Sequence, residues 1–296
     1  MSTKPKLQWW KSIASFLIVL CTMPLGHAAM ILMEKLLPHS LLPTLAFLLG
    51  FLGFVMVVIG VFASTDTKQT LWGFFGGLLF WTGWVEFLFQ YYANSYGTLP
   101  EIVNGEIVTK PEYLILPATF GFWMMFMMLY IFSVRTGCDF LNWLQKIFFR
   151  DKKPRIVARP MTRHTSIVTF MELNMILWTS YLLLMFCYDP RFIGDHSPIT
   201  FAVGIICFIA SFFIFAKQLR LSSWGANIRM SIATVIVFWT PVEILGRVNF
   251  FNEFWVQPLE HIKELSVILV AFIALVGYFI YVSKKRKPDT NSESVL

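Results

Sequence analysis

Eight apolar segments follow one another along the chain, and they limit it to one broad class of fold. An α-helix needs about 20 predominantly apolar residues to cross the hydrocarbon core of a bilayer. The segments span residues 12–36, 40–63, 71–93, 115–134, 165–187, 199–220, 229–247 and 263–283. Only 14% of all residues are charged, whereas soluble domains carry about 25%. The sequence therefore predicts an all-α integral membrane protein with eight transmembrane helices.

The distribution of positive charge predicts the orientation of these helices, because Lys and Arg concentrate in cytoplasmic loops. With the amino terminus in the cytoplasm, the segments on that side hold 19 of the 24 Lys and Arg. We therefore expect both termini in the cytoplasm, below a bacterial inner membrane or a plasma membrane. The first segment resembles a signal peptide up to Ala29, but its apolar run continues to Met33. We interpret it as the first helix.

The longest loop predicted outside, residues 94–113, has the sequence of a β-hairpin. Asn104-Gly105 separates two short runs of alternating residues, 101–103 and 106–108. Asn-Gly between such runs favours a type I′ turn, which requires positive φ at both central residues. We expect a two-stranded flap on the outer face.

The longest loop predicted inside combines apolar spacing with strong positive charge. At about 138–148, apolar and polar residues alternate at near-helical spacing, which predicts an amphipathic helix in the membrane interface. Basic residues at 146–163 predict contact with anionic lipid headgroups. The net charge of +7 does not indicate nucleic-acid binding, because the basic residues lie in loops beside predicted helices.

Two carboxylates lie inside apolar runs that resemble each other. Residues 80–86 read Phe-Trp-Thr-Gly-Trp-Val-Glu, and residues 238–243 read Phe-Trp-Thr-Pro-Val-Glu, so Trp84 has no counterpart. A His-Ser pair precedes each run, at His39-Ser40 and at His196-Ser197, and 47 residues separate each His from its Glu. Ser-Ile also opens the first and fifth segments, at Ser12 and Ser166.

These similarities predict an internal duplication of four helices plus four helices. The first repeat is 1–148, a basic linker covers 149–164, the second repeat is 165–287, and a polar tail at 288–296 is expected to be disordered. Repeats with an even number of helices have the same orientation and are related by a pseudo-two-fold axis along the membrane normal. Equivalent residues then face each other across that axis.

The duplication predicts that Glu86 and Glu243 meet inside the membrane, toward its outer side. An ionisable side chain in the bilayer is costly and marks an ion or substrate pathway by default. The alternative is that each Glu is protonated and bonds to a neighbouring helix, or that Arg247 pairs with Glu243 one turn away. Glu172 could extend a polar path toward the cytoplasm, and a single bond between helices explains it equally well.

A metal site is a second hypothesis for the same residues. His39, His196, Glu86 and Glu243, together with His27, provide the imidazole and carboxylate ligands that suit zinc, iron or copper. The alternative for the first two is a helix start, since Ser40 and Ser197 are good N-caps. We expect a divalent or transition metal at most. Haem is not expected, because His27 is the one histidine inside a predicted helix.

Three functional classes remain open on the sequence. The first is a proton- or cation-linked transporter or channel for a small solute. The second is a membrane-embedded, metal-dependent enzyme, an oxidoreductase or a lipid-modifying protein, with an outward-facing His/Glu site. The third is a non-catalytic subunit of a membrane complex or a homo-oligomer. No nucleotide-binding, hydrolase or metalloprotease motif is present.

Overall fold

A computed structural model describes residues 8–38, 40–103, 106–133 and 164–285. The predicted interfacial helix at about 138–148, the basic linker up to residue 163 and the predicted disordered tail lie outside this part of the chain. His39 also lies outside it.

The described chain is almost entirely helical. Its helices are α1 (Trp9–Leu36), α2 (Leu42–Val61), α3 (Asp66–Phe80), α4 (Phe87–Ser95), α5 (Pro111–Ile115), α6 (Phe120–Ser133), α7 (Thr165–Tyr188), α8 (Pro198–Gln218), α9 (Trp224–Arg247) and α10 (Ile262–Lys285). A π-helical turn, Trp81–Glu86, joins α3 to α4, and a 3₁₀ turn, Leu116–Thr119, precedes α6.

Seven helices of the described part are long and apolar enough to cross a membrane. They are α1, α2, the continuous unit formed by α3, the π-turn and α4, and then α7, α8, α9 and α10. This is the architecture of an all-α polytopic membrane protein, as the sequence predicts. The predicted segment at 115–134 appears as the shorter helix α6, which reaches the limit of the described residues at Ser133.

Two antiparallel strands lie where the sequence predicts a hairpin. Strand β1 (Glu101–Val103) pairs with β2 (Glu106–Thr109), and Val103 lies opposite Glu106. The helices α1, α4, α7 and α9 all end near this hairpin. We call this side of the bundle the hairpin end.

Two helix pairs that are adjacent in sequence pack extensively, and further contacts join distant parts of the chain. Helix α2 packs on α3, and α8 packs on α9. Across the chain, α1 packs on α9 and α10, while α7 packs on α3 and α6. Helix α7 also contacts α2 and α9, and α3 contacts α9. The central apolar core lies where these helices meet and includes Phe74, Leu173, Ile232 and Val235.

A buried polar network joins α1 to the α8–α9 pair at the opposite end of the bundle. Ser12 Oγ donates to Asn227 Oδ1 at 2.8 Å, and Gln218 Nε2 donates to the Ser12 carbonyl at 2.9 Å. Gln218 also bonds Ser231 and Thr234. Large apolar side chains on α2, α8 and α10 remain exposed, as a surface in contact with lipid requires.

Candidate functional site

The Glu86 carboxylate lies at the end of the π-helical turn, within a transmembrane span. Its side chain is buried, with 7% of the residue exposed. The turn packs very closely on α2, because a Cβ atom on Gly83 would overlap the backbone nitrogen of Gly50. Trp84 Nε1 donates to the Phe47 carbonyl at 2.9 Å and fixes the same contact. Small residues and an indole hydrogen bond therefore hold the turn that presents Glu86.

Aromatic rings surround Glu86. The hydroxyl of Tyr181, on α7, donates to Glu86 Oε1 at 3.2 Å. Both Trp81 and Tyr113 stack on the Tyr181 ring, with centroid distances of 5.6 Å and 5.4 Å. We call Trp81, Tyr181 and Tyr113 the aromatic column. The Trp81 indole is buried beside the Glu86 carboxylate.

Glu243 lies on α9 beside an indole and an imidazole. Trp239 Nε1 donates to Glu243 Oε1 from one helical turn below. His27 Nε2, on α1, lies 3.9 Å from the same oxygen, and His27 Nδ1 lies 3.0 Å from the Met23 carbonyl. Because that carbonyl can only accept, His27 Nδ1 carries the proton in this bond. The neutral imidazole then presents a lone pair toward Glu243, and the protonated form presents a second N–H.

The two glutamates act on the same aromatic column. Burial raises the pKa of the Tyr113 phenol well above its usual value, and the neighbouring Tyr181, Glu86, Glu112 and Glu243 raise it further. Tyr113 therefore lies within electrostatic reach of both Glu86 and Glu243. Glu86 contacts the column through the Tyr181 hydroxyl, whereas Glu243 contacts Trp239 and His27 and acts on Tyr113 through its charge.

Two further carboxylates join this region. Glu112, on α5, is 3% exposed, and burial raises its pKa to about 7. Lys110 opposes that shift, while Glu34 and Glu86 add to it. Burial also raises the pKa of Glu253, in the α9–α10 connection, to about 7; Glu243 adds to the shift and His27 opposes it.

Lys110 connects the hairpin to α1. Its Nζ lies 3.0 Å from both carboxylate oxygens of Glu34 and 3.9 Å from Glu112 Oε1. The second oxygen, Glu112 Oε2, is buried and has no hydrogen-bond partner among the described residues. One ammonium group therefore lies between two carboxylates and bonds closely to only one of them.

Arg247 holds the hairpin to the end of α9. Its guanidinium is 5% exposed and bonds Glu101 Oε2 at 2.9 Å, Asp195 Oδ2 at 3.3 Å and Thr109 Oγ1 at 2.5 Å. A hydrogen bond from Thr109 lowers the pKa of Glu101, and Arg247 lowers it further. The alternative predicted partner of Arg247, Glu243, bonds Trp239 instead. Arg247 is thus a clamp on the hairpin.

The remaining sequence-predicted residues lie apart from this region or outside the described chain. Glu172 is 1% exposed on α7 and lies nine residues before Tyr181, about 13 Å along the helix. His196 is exposed, and the neighbouring Ser197 accepts a hydrogen bond from Ile199 N–H at the start of α8. The described residues contain no group of three or more His, Cys, Asp or Glu side chains that could hold a metal ion.

Sequence reasoning missed Glu112, Glu253, Lys110 and the aromatic column. Glu112 and Glu253 lie in predicted loops, where an acidic residue is ordinary. A signal was nevertheless present, because Glu253 lies within a run of aromatic residues at 250–255. No protein-family model, curated protein or solved structure matches the chain in the comparisons made with each.

Proposed function

We propose that this protein is a membrane carrier for a proton or a small cation, and that Glu86 and Glu243 bind the transported charge. The observation that supports the proposal most directly is that Glu86 bonds Tyr181 of the aromatic column, and the charge of Glu243 also acts on Tyr113 in that column. Carboxylates within a bilayer are costly unless they bind a proton, a cation or a counter-charge. Two of them at one place favour binding of positive charge.

Helix packing supports the internal repeat on which this proposal is based. The first set consists of α1, α2, α3 and α6, and the second set of α7, α8, α9 and α10. If each helix is replaced by its counterpart in the other set, the α1–α9 contact becomes the α7–α3 contact, and the α1–α10 contact becomes the α7–α6 contact. The α2–α3 pair becomes α8–α9 in the same way. A site between two parallel repeats is the arrangement found in one class of transporters. The α7–α2 contact has no equally extensive counterpart, so the repeat is approximate.

The two Ser-Ile pairs support the repeat at atomic detail. Ser12 bonds at the junction of α8 and α9. Ser166 Oγ donates to the Val57 carbonyl at 2.8 Å and packs against Gly60 and Gly73, at the junction of α2 and α3. Each serine thus joins the first helix of one set to the second and third helices of the other.

The π-helical turn explains the mismatch between the two Glu segments. Trp81 and Glu86 are five residues apart, whereas Trp239 and Glu243 are four apart. One turn closes over five residues in a π-helix and over four in an α-helix. The extra residue, Trp84, is therefore absorbed, and each Glu keeps an indole one turn below. π-Bulges of this kind occur frequently at functional sites.

The test is ion flux in vesicles that contain the purified protein. A pH-sensitive dye follows H⁺ and ammonium under a potential set by potassium and valinomycin, and radiolabelled ions follow Na⁺ and K⁺ without valinomycin. We expect Glu86→Gln and Glu243→Gln each to reduce the flux of H⁺, Na⁺, K⁺ or ammonium about tenfold or more, because each removes a charge-binding group. Glu264→Gln is the matched control, since its carboxylate is 56% exposed on α10. Wild-type vesicles that conduct none of these ions faster than empty vesicles would contradict the proposal.

A membrane-embedded enzyme is the second candidate, and the contact between His27 and Glu243 favours it. An imidazole beside a carboxylate is a common general acid–base pair. Elemental analysis of the purified protein tests the metal-dependent form of this candidate. A stoichiometric metal that is lost in both His27→Gln and Glu243→Gln would support the enzyme.

A further inference from the structure

We propose that Glu112 and Glu86 bind an ammonium group of the transported molecule, ammonium itself or a small primary amine, and that Lys110 is a tethered ammonium that competes for this site. The inference rests on the proposed carrier function and names its substrate class. It adds two residues, Glu112 and Lys110, that lie outside the predicted pair.

The unsatisfied oxygen of Glu112 is the first argument. A buried acceptor without a donor costs about 1–3 kcal/mol, more for a charged group, so native proteins rarely leave one unfilled. Glu112 Oε2 is such an atom within the described chain, and the residue is 3% exposed. Glu86 lies close enough for its charge to act on Glu112. A donor with positive charge satisfies both carboxylates.

Lys110 indicates the chemical class of that donor. An ammonium group has three N–H donors. Glu34 takes two of them at 3.0 Å, and the third faces Glu112 Oε1 across 3.9 Å. The group that the fold itself places here is therefore an ammonium, and it leaves the buried Glu112 Oε2 without a donor. A second ammonium would supply that donor.

An ammonium also suits the site better than a metal ion does. A metal ion needs several protein ligands at short distance, and the described residues contain no such group. An ammonium brings its own hydrogen-bond donors and needs only acceptors.

The competition predicts opposite effects for the two halves of one ion pair. Lys110→Gln removes a positive charge that lies 3.9 Å from Glu112 Oε1, and it should tighten binding severalfold because that charge no longer repels or competes with the bound ammonium. Glu34→Gln releases Lys110 toward Glu112 and should weaken binding by a similar factor, about fivefold. If the pair were only structural, both variants would break the same contact and change binding in the same direction.

The experiment is equilibrium dialysis of the purified full-length protein with radiolabelled methylammonium in detergent at about pH 8, where Glu112 is ionised. We expect Glu112→Gln to weaken binding about tenfold, since a hydrogen bond to a charged group is lost. Lys110→Arg should bind like wild type, because it keeps the competing charge. Lys35→Gln, an exposed neighbour of Glu34, is the control and should also bind like wild type.

The outcomes separate this inference from the carrier proposal. Equal binding by wild type and Glu112→Gln overturns the inference, and so does displacement of methylammonium by Na⁺ but not by ammonium. If Lys110→Gln does not fold, Glu34→Gln decides, and binding as tight as wild type overturns the competition. Ion flux that depends on Glu86 in a protein without methylammonium binding overturns the inference alone. Glu112-dependent binding in a protein that moves no ion overturns the carrier proposal alone.

Discussion

Three acidic side chains near the hairpin end show how the surroundings set the charge of a carboxyl group. Hydrogen bonds from Thr109 and Arg247 lower the pKa of Glu101, which stays ionised at neutral pH. Glu112 is buried and Glu253 is partly buried, and desolvation raises the pKa of each to about 7. Hydrogen-bond donors therefore have the largest effect on the pKa of Glu101, whereas desolvation has the largest effect on the pKa of Glu112 and Glu253.

Glu253→Gln should make the stability of the protein less dependent on pH. The folded pKa of Glu253 is raised from 4.5 to about 7, so its neutral form favours folding at low pH and that contribution is lost as the pH rises through 7. We expect the wild type to lose on the order of 2 kcal/mol between about pH 5 and pH 8 through this group. The variant should lose less.

Thermal unfolding in detergent across this pH range measures the effect. Glu264→Gln, exposed on α10, is the control and should follow the wild-type curve. A Glu253→Gln curve parallel to the wild-type curve would show that Glu253 does not titrate as described.

Tyr181→Phe isolates the hydroxyl that donates to Glu86. The ring and its stacking on Trp81 and Tyr113 remain, so the fold should be retained. Loss of a hydrogen bond to a charged group costs about 1.5–3 kcal/mol, so flux in vesicles should change about tenfold. Tyr91→Phe, on an exposed ring of α4, serves as the control. Unchanged flux in Tyr181→Phe would remove Tyr181 from the site.

For single residues, the sequence identifies those that interrupt an apolar run. Glu86 and Glu243 interrupt apolar runs, so their place within apolar helices could be predicted from the sequence; Glu86 is buried and Glu243 is partly exposed. Glu112 and Glu253 follow no such pattern, because tertiary packing of connecting segments buries them. The Glu253 side chain occupies space that a Cβ on Gly246 would fill, a contact that only the folded chain defines.

Among the elements, the π-helical turn combines a close helix contact with a buried carboxylate. Gly83 and Gly50 let α2 and the turn approach at backbone distance. Small residues at helix contacts are the usual means by which membrane helices pack tightly. The sequence shows the extra residue at Trp84, but it does not predict a π-turn, since a loop or a kink could also absorb one residue.

Gly83→Ala should destabilise the protein, and Gly26→Ala should not. A Cβ at Gly83 would overlap the Gly50 nitrogen and lie 2.5 Å from the Ala46 carbonyl oxygen, and backbone atoms cannot rotate away. We expect a loss of about 1–3 kcal/mol, typical of overpacking. A Cβ at Gly26 would meet no atom within 4 Å, so this position is the matched control on α1. The measurement is the midpoint of thermal unfolding in detergent. Equal midpoints for Gly83→Ala and the wild type would contradict the close contact between Gly83 and Gly50.

Arg247→Lys should loosen the hairpin without unfolding the helices. Lysine keeps the charge but cannot bond Glu101, Asp195 and Thr109 at once, because the planar guanidinium presents five donors. We expect hydrogen exchange at the β1 and β2 amides to rise about tenfold or more, with little change in α9. Arg191→Lys, exposed in the α7–α8 connection, is the control. Unchanged exchange in Arg247→Lys would show that the clamp is dispensable.

For the whole molecule, the sequence predicts the class and the number of long apolar segments better than their packing. The length of each apolar segment is enough to identify a spanning helix, because the thickness of the bilayer sets the length that is needed. Which helix contacts which depends on side-chain shape. The contacts between α1 and α9 and between α7 and α3 are therefore features of the folded chain that no single segment predicts.

The two predicted repeats should be stable only together. Residues 1–148 and 165–287 each present helices whose principal contacts lie in the other set. When both are expressed in one cell, an affinity tag on one should recover the other; either one expressed alone should be degraded. Serine-to-alanine changes at Ser12 and Ser166 should reduce recovery, because each serine bonds across the two sets. Independent accumulation of either half would contradict this interdependence.

The contact between α1 and α9 also affects how the chain is made. Leu36 ends α1 and Trp224 begins α9, so 188 residues separate the first helix from a principal neighbour. At translation rates of about 5–20 residues per second, the first helix waits roughly ten to forty seconds before that neighbour is synthesised. Throughout this interval Ser12, Ser15 and Thr22 lie on an apolar helix without the surroundings that later bury them. We therefore expect the first helix to stay close to the insertion machinery until the second half of the chain is made.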